Sequence, residues 1–134
     1  MAYQRPRQVG TENQLYEQVA RYLNTHYPGT PYHFDLSGVW TPSHAARNLY
    51  GRLNNRAWPD LFIAAPRRGS HGLFLELKRD GTRLFKKNGH GATPHISEQA
   101  LVLKYLCESG YNAKFACGLD EARQMINDYM EAGL

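Results

Sequence analysis

Cysteine is scarce: Cys107 and Cys117 stand ten residues apart, with no CxxC or CxxH neighbour. That spacing excludes a zinc-finger ligand set. It reads as two reduced, mostly buried thiols of a cytosolic protein. No apolar run approaches the ~20 residues needed to span a bilayer. The opening residues Met1-Ala2-Tyr3-Gln4-Arg5 lack the apolar stretch of a secretory signal, so a cytoplasmic location is expected and no membrane partner. His26, His33, His44, His71, His90 and His95 form no HxH or HExxH spacing, which makes histidine-centred metal chemistry a poor fit. There is no GxSxG elbow for a Ser-His-Asp nucleophile. There is no Gly-x-x-x-x-Gly-Lys cradle, so no nucleotide cofactor is expected. Internal repeats and low-complexity blocks are missing too.

What remains is an ordinary globular composition. The chain has 134 residues, 42% hydrophobic and 21% charged, which fits one domain with a real core and argues against disorder. Sixteen Lys and Arg against twelve Asp and Glu leave a net charge of +4. That surplus is compatible with a nucleic-acid partner but does not demand one.

Residues 1–10 are polar and basic and read as a flexible N-terminal arm before a single domain over 11–134. Thr11-Glu12-Asn13-Gln14 is a capping box, followed by a helical stripe of Leu15, Val19, Tyr22 and Leu23 that Tyr27-Pro28-Gly29 ends. Residues 30–44 are irregular, with a short strand near His33-Phe34-Asp35-Leu36, and Ala45 to Asn54 is helical. Asp60 to Ala65 is a buried strand, Pro66 to Ser70 a turn, and Gly72 to Lys78 a second strand. Residues 80–95 carry Gly, Lys, Arg and His without periodicity and read as a long loop. Ser97 caps the next helix, with Ala100, Leu103 and Cys107, together with Leu106, on its apolar stripe and Gly110 at its C-terminal turn. Tyr111 to Cys117 is a strand, and a last helix is capped by Asp120. The order predicts a mixed α/β domain.

The informative chemistry is Pro59-Asp60 followed by Glu76-Leu77-Lys78. Residues i and i+2 on a strand share a face, so Glu76 and Lys78 project together. Folded as a hairpin about Arg68, the chain has Asp60 eight residues before the pivot and Glu76 eight after. Two carboxylates and an amine then converge. Paired oxygen ligands suit Mg²⁺ or Mn²⁺ better than zinc, and an ammonium beside them can orient water or hold a phosphate oxygen. The same residues also read as a surface charge pair. Against that, Leu73, Phe74, Leu75 and Leu77 suggest a strand buried on both faces, where unpaired charge is costly. On the first helix, Glu12 lies in the sector of the Leu15/Val19/Leu23 stripe and Glu17 lies opposite. Glu12 is the better candidate to reach a site, although it also suits the first turn's dipole. Trp58, beside Pro59-Asp60, is placed to brace a site wall.

Glu12-x-x-Leu15, Pro59-Asp60-Leu61-Phe62, Gly72-Leu73-x-Leu75-Glu76-Leu77-Lys78, Ser97-Glu98-Gln99 and Leu106-x-x-x-Gly110-Tyr111 follow one another along residues 11 to 130. This ordered set resembles the VRR-NUC branch of the PD-(D/E)XK nucleases. The resemblance implies a restriction-endonuclease-like core, a central mixed β-sheet flanked by helices. It implies Mg²⁺ or Mn²⁺ held by Asp60, Glu76 and the backbone carbonyl of Leu77, with Glu12 assisting. It implies Lys78 positioning the attacking water, Gln99 supporting that water or the phosphate, and DNA as substrate. The small size resembles virus-type members that form homodimers, linked by analogy with Holliday-junction resolvases. Arg83, Lys86, Lys87 and His90 lie in the longer basic connection and are candidate DNA contacts; each also reads as a solvated loop residue. Arg67 and Arg68 fall at the far end of the hairpin from Asp60. Other readings are a flap, nick or single-strand nuclease, a non-catalytic DNA-binding module, and a structural interaction protein.

Overall fold

The computed structural model describes residues 8–35, 42–53 and 55–133. Residues 1–7, most of the arm read from the sequence, lie outside the described residues. In chain order the elements are α1 (Gln8–His26), β1 (Tyr32–Phe34), α2 (His44–Leu53), β2 (Leu61–Ile63), β3 (Leu73–Lys78), α3 (Pro94–Glu108), β4 (Asn112–Cys117) and α4 (Gly118–Met130). The sheet order is β1-β2-β3-β4. The first three strands pair antiparallel, and β3 pairs parallel with β4 through the α3 crossover. The expected mixed sheet with flanking helices is therefore present. Among the described residues no helix is long and apolar enough to cross a membrane.

Strand alternation splits the core into two layers. Leu61, Ile63, Leu73, Leu75 and Leu77 join Leu15, Val19 and Leu23 of α1 and Ala122 and Ile126 of α4 on one face. Phe74 and Ala113 meet Leu103 and Leu106 of α3 on the other, with Phe62 and Trp58 packed against them. β3 is covered on both faces, which is why it reads as a nearly continuous apolar run. Tyr22 of α1 and Tyr27 in the turn after it both donate to Asn127 Oδ1 of α4, at 2.6 and 2.7 Å.

Arg68 (φ 46°) and Gly69 (φ 78°) form the turn between β2 and β3. Positive φ at both central positions matches the twist of a tight hairpin. Arg67 Nε donates to the Met130 carbonyl and Arg68 Nε to that of Ala132, both at 2.9 Å. The two arginines thus satisfy carbonyls at the end of α4, at the opposite end of the hairpin from Asp60.

Three helix starts differ from the sequence reading. α1 opens at Gln8, three residues ahead of the Thr11 cap. α3 is capped by Thr93, whose Oγ1 accepts from the Ile96 N–H at 3.1 Å, not by Ser97. Pro94 follows at the position where a missing N–H costs nothing. The buried face of α3 is Ile96, Gln99, Leu103 and Leu106: Leu103 and Leu106 are buried as expected, while Cys107 is exposed rather than buried. α4 begins at Gly118 after Cys117, with Asp120 already in its first turn. Gly110 (φ 96°) does close α3 as expected: its N–H and that of Tyr111 donate to the Cys107 and Leu106 carbonyls.

Candidate active site

The β2–β3 register pairs Leu61 with Leu75, Phe62 with Phe74 and Ile63 with Leu73. One step further sets Asp60 across from Glu76, as the count about Arg68 requires. A second step sets Leu77 opposite Pro59, and proline has no N–H to donate. The Leu77 N–H donates instead to Asp60 Oδ2 at 2.8 Å. In an antiparallel pair a residue's N–H and C=O face the same neighbour, so the Leu77 carbonyl also faces the Asp60 side. The Pro-Asp pair therefore ends the ladder and turns three oxygen-bearing groups toward one place.

Asp60 and Glu76 line a cavity of about 330 Å³ together with Leu77, Lys78 and Gln99. Tyr16, Asp35, Ala57, Trp58 and His95 complete its wall. Glu76 and Gln99 are each only 4% exposed. Gln99 Nε2 donates to Glu76 Oε1 at 2.8 Å and lies 3.2 Å from His95 Nε2. Lys78 Nζ stands 3.9 Å from Glu76 Oε1. From α1, the Tyr16 hydroxyl donates to Asp60 Oδ1 at 2.5 Å. Trp58 meets Phe74 edge-to-face at 5.4 Å and so braces the wall.

Burial, and then the adjacent Asp60 charge, push the Glu76 carboxyl up to about 10, against the pull of Lys78. Burial also raises Asp60, opposed first by the Tyr16 hydrogen bond. Two desolvated carboxyls side by side resist double ionisation. Glu76 Oε2 and Gln99 Oε1 are buried acceptors without a hydrogen-bond partner among the described residues. A hard divalent cation answers both features, because carboxylate and carbonyl oxygens are the donors Mg²⁺ and Mn²⁺ take. Asp60, Glu76 and the Leu77 carbonyl are the donors that fit. Among the described residues, no three Asp, Glu, His or Cys groups stand together to hold one ion.

Asp60, Glu76, Lys78 and Gln99 are thus brought to one cavity. Glu17 is exposed, as its helix position predicts. Glu12 lies one turn before Tyr16 in α1, and its side chain lies outside the described residues. Arg83, Lys86, Lys87 and His90 are exposed in the connection after β3. Sequence reasoning missed Tyr16 and Asp35, while His95 was weighed only as a loop residue. The helical i, i+4 relation of Tyr16 to Glu12 could have flagged the tyrosine.

No protein-family model matches the sequence, and no curated protein matches it. A solved structure described as a "VRR_NUC domain protein" matches with a TM-score of 0.63 and 27% sequence identity, over 92% of this chain and 90% of that one. This likeness runs along nearly the whole chain, with the motifs in the expected order on the expected elements, and it supports the resemblance to the VRR-NUC nucleases.

Proposed function

We propose that the protein is a divalent-metal-dependent DNA endonuclease that hydrolyses phosphodiester bonds in branched, Holliday-junction-like DNA as a homodimer. The observation that carries this reading is the pairing of a half-buried and a buried carboxyl across the Pro59-Asp60/Glu76 step, with Lys78 and Gln99 lining the same cavity. A pure DNA-binding module has no use for carboxylates facing phosphate.

Asp60, Glu76 and the Leu77 carbonyl would hold Mg²⁺ or Mn²⁺, with Glu12 as the carboxylate from α1. Such an ion supplies positive charge at a phosphoryl oxygen and makes a nearby water more acidic. Tyr16 and the Leu77 N–H fix the Asp60 carboxylate through one hydrogen bond to each oxygen. Gln99 keeps Glu76 Oε1 turned toward α3, which leaves Oε2 for the cation. Gln99 Oε1 is a buried acceptor that can take a hydrogen from the attacking water. Lys78, half-buried and on the same strand face, orients that water or holds the phosphate oxygen. Water adds to phosphorus as the P–O bond to the neighbouring sugar breaks. A twofold pair of chains offers two such sites to two strands, which suits a branched substrate.

The test is cleavage of four-way junction, flap, nicked, duplex and single-stranded DNA with Mg²⁺, Mn²⁺ or chelator. The wild-type chain should cut the junction fastest, as a particle of two chains, and only with metal. Asp60→Asn should abolish cutting, and Lys78→Ala should slow it about 10²–10⁴-fold. Cutting by Asp60→Asn at the wild-type rate would overturn the site. A faster rate on flaps or nicks would replace the branched-DNA reading.

A further inference from the structure

The sheet edge that carries Asp60 and Glu76 carries a third carboxylate. The β1–β2 register pairs Phe34 with Leu61, and in the next step the Asp35 N–H donates to the Asp60 carbonyl at 2.8 Å. Asp35, Asp60 and Glu76 therefore form a row across three neighbouring strands. Directly opposed residues share a sheet face, and all three line the same cavity.

Acidic neighbours alone do not make a site. The second observation comes from the opposite wall: Gln99, a neutral side chain only 4% exposed, has its Oε1 buried in this cavity without a partner. Acceptors thus approach one space from the sheet edge and from α3. A hydrated cation matches that arrangement, taking carboxylate oxygens directly and donating hydrogen bonds from its waters to the acceptors beyond.

We propose that Asp35 is a further carboxylate of the metal site, the third along the sheet edge, and holds the cation through water of its hydration shell. The inference rests on the metal-dependent reading above. Direct ligation by all three acids does not fit, because no three such groups among the described residues stand together around one point. Mg²⁺ retains several of its waters when one or two carboxylates hold it. Asp35 is in this sense a positioning residue.

Mn²⁺ titration of the full chain tests this without DNA. Free Mn²⁺ is read by electron paramagnetic resonance, for wild type, Asp35→Asn, Asp35→Ser and Asp60→Asn, each checked for folding by thermal melting. Asp35→Asn and Asp35→Ser should keep the wild-type number of ions per chain and raise the Mn²⁺ dissociation constant about tenfold or more, as for other partners behind the direct ligands. Asp60→Asn should raise it further. A wild-type dissociation constant in both Asp35 variants, with Asp60→Asn still impaired, would overturn the role of Asp35 and leave the metal site standing. Loss of one ion per chain in the Asp35 variants would also overturn it, by making Asp35 a direct ligand of a separate ion. No Mn²⁺ binding by the wild type would remove the metal reading itself.

Discussion

Tyr16 is the described side chain of α1 that reaches Asp60. Its hydroxyl donates to Asp60 Oδ1 at 2.5 Å, while its ring packs on Phe34 with centroids 5.3 Å apart. Phenylalanine would keep the packing and remove the donor. Hydrogen bonds to charged groups are worth about 1.5–3 kcal/mol, and this one pulls the raised Asp60 carboxyl back down. Tyr16→Phe should therefore raise Asp60 further and delay its ionisation. Because the ionised form is the one that would bind the cation in the proposed mechanism, the acid limb of the cleavage pH profile should move to higher pH. The Mg²⁺ concentration for half-maximal rate should also increase. A wild-type profile in Tyr16→Phe would show that the bond is idle. Tyr16 and Asp35 were hidden from the sequence for a physical reason. Asp60 and Glu76 belong to one hairpin, so counting outward from Arg68 pairs them. Tyr16 lies 44 residues from Asp60, and Asp35 follows a strand of three residues. No local periodicity links either to the site; only the tertiary register does.

At the scale of elements, the connection after β3 is more ordered than its lack of periodicity suggests. Phe85 and Gly91 form a bridge, with Lys86 N–H to the His90 carbonyl and Ala92 N–H to that of Leu84, both at 2.8 Å. This hairpin is seated on the domain. Phe85 meets Phe115 at 6.1 Å. A Cβ at Gly91 would fall 2.7 Å from Ser97 N, so glycine is what allows the hairpin to lie against α3. Arg83, Lys86 and Lys87 are exposed and make no ion pair among the described residues. A braced hairpin can present them to a DNA backbone with little ordering cost. In the non-cutting Asp60→Asn background, adding Lys86→Ala and Lys87→Ala should weaken DNA binding. It should also lower the slope of log affinity against log salt by about 2, since each lost phosphate contact removes ~0.9. An unchanged slope would place the DNA elsewhere. The same stretch shows where local signals mislead. Ser97 before an apolar stripe drew the helix start away from Thr93-Pro94, whose side-chain cap and fixed φ decide it. The Gly110 terminus was legible because a positive-φ C-terminal turn leaves little choice of residue.

For the whole molecule, the surplus of four positive charges counts Glu76 as ionised, and the metal-free fold opposes that. The Glu76 carboxyl goes from 4.5, its ordinary value, to about 10 in the fold. Between those values the folded chain keeps a proton that the unfolded chain releases. Stability therefore falls as pH rises through that window, and the raised Asp60 acts in the same direction. In the proposed metal site a divalent cation would bind the ionised pair, and so would offset the penalty most where the penalty is largest. The same ion would add two positive charges to the chain, which would strengthen attraction to a DNA backbone. Melting at pH 6, 7.5 and 9 should show a metal-free midpoint that declines with pH. Mg²⁺ or Mn²⁺ at 100 times its dissociation constant should restore about 2.7 kcal/mol. At one fixed metal concentration the gain should grow from pH 6 to 9, because proton competition at Glu76 weakens. A metal-free midpoint flat across this range, with no metal-induced rise at any pH, would mean that the two carboxyls do not compete for charge and that the cavity is not a cation site.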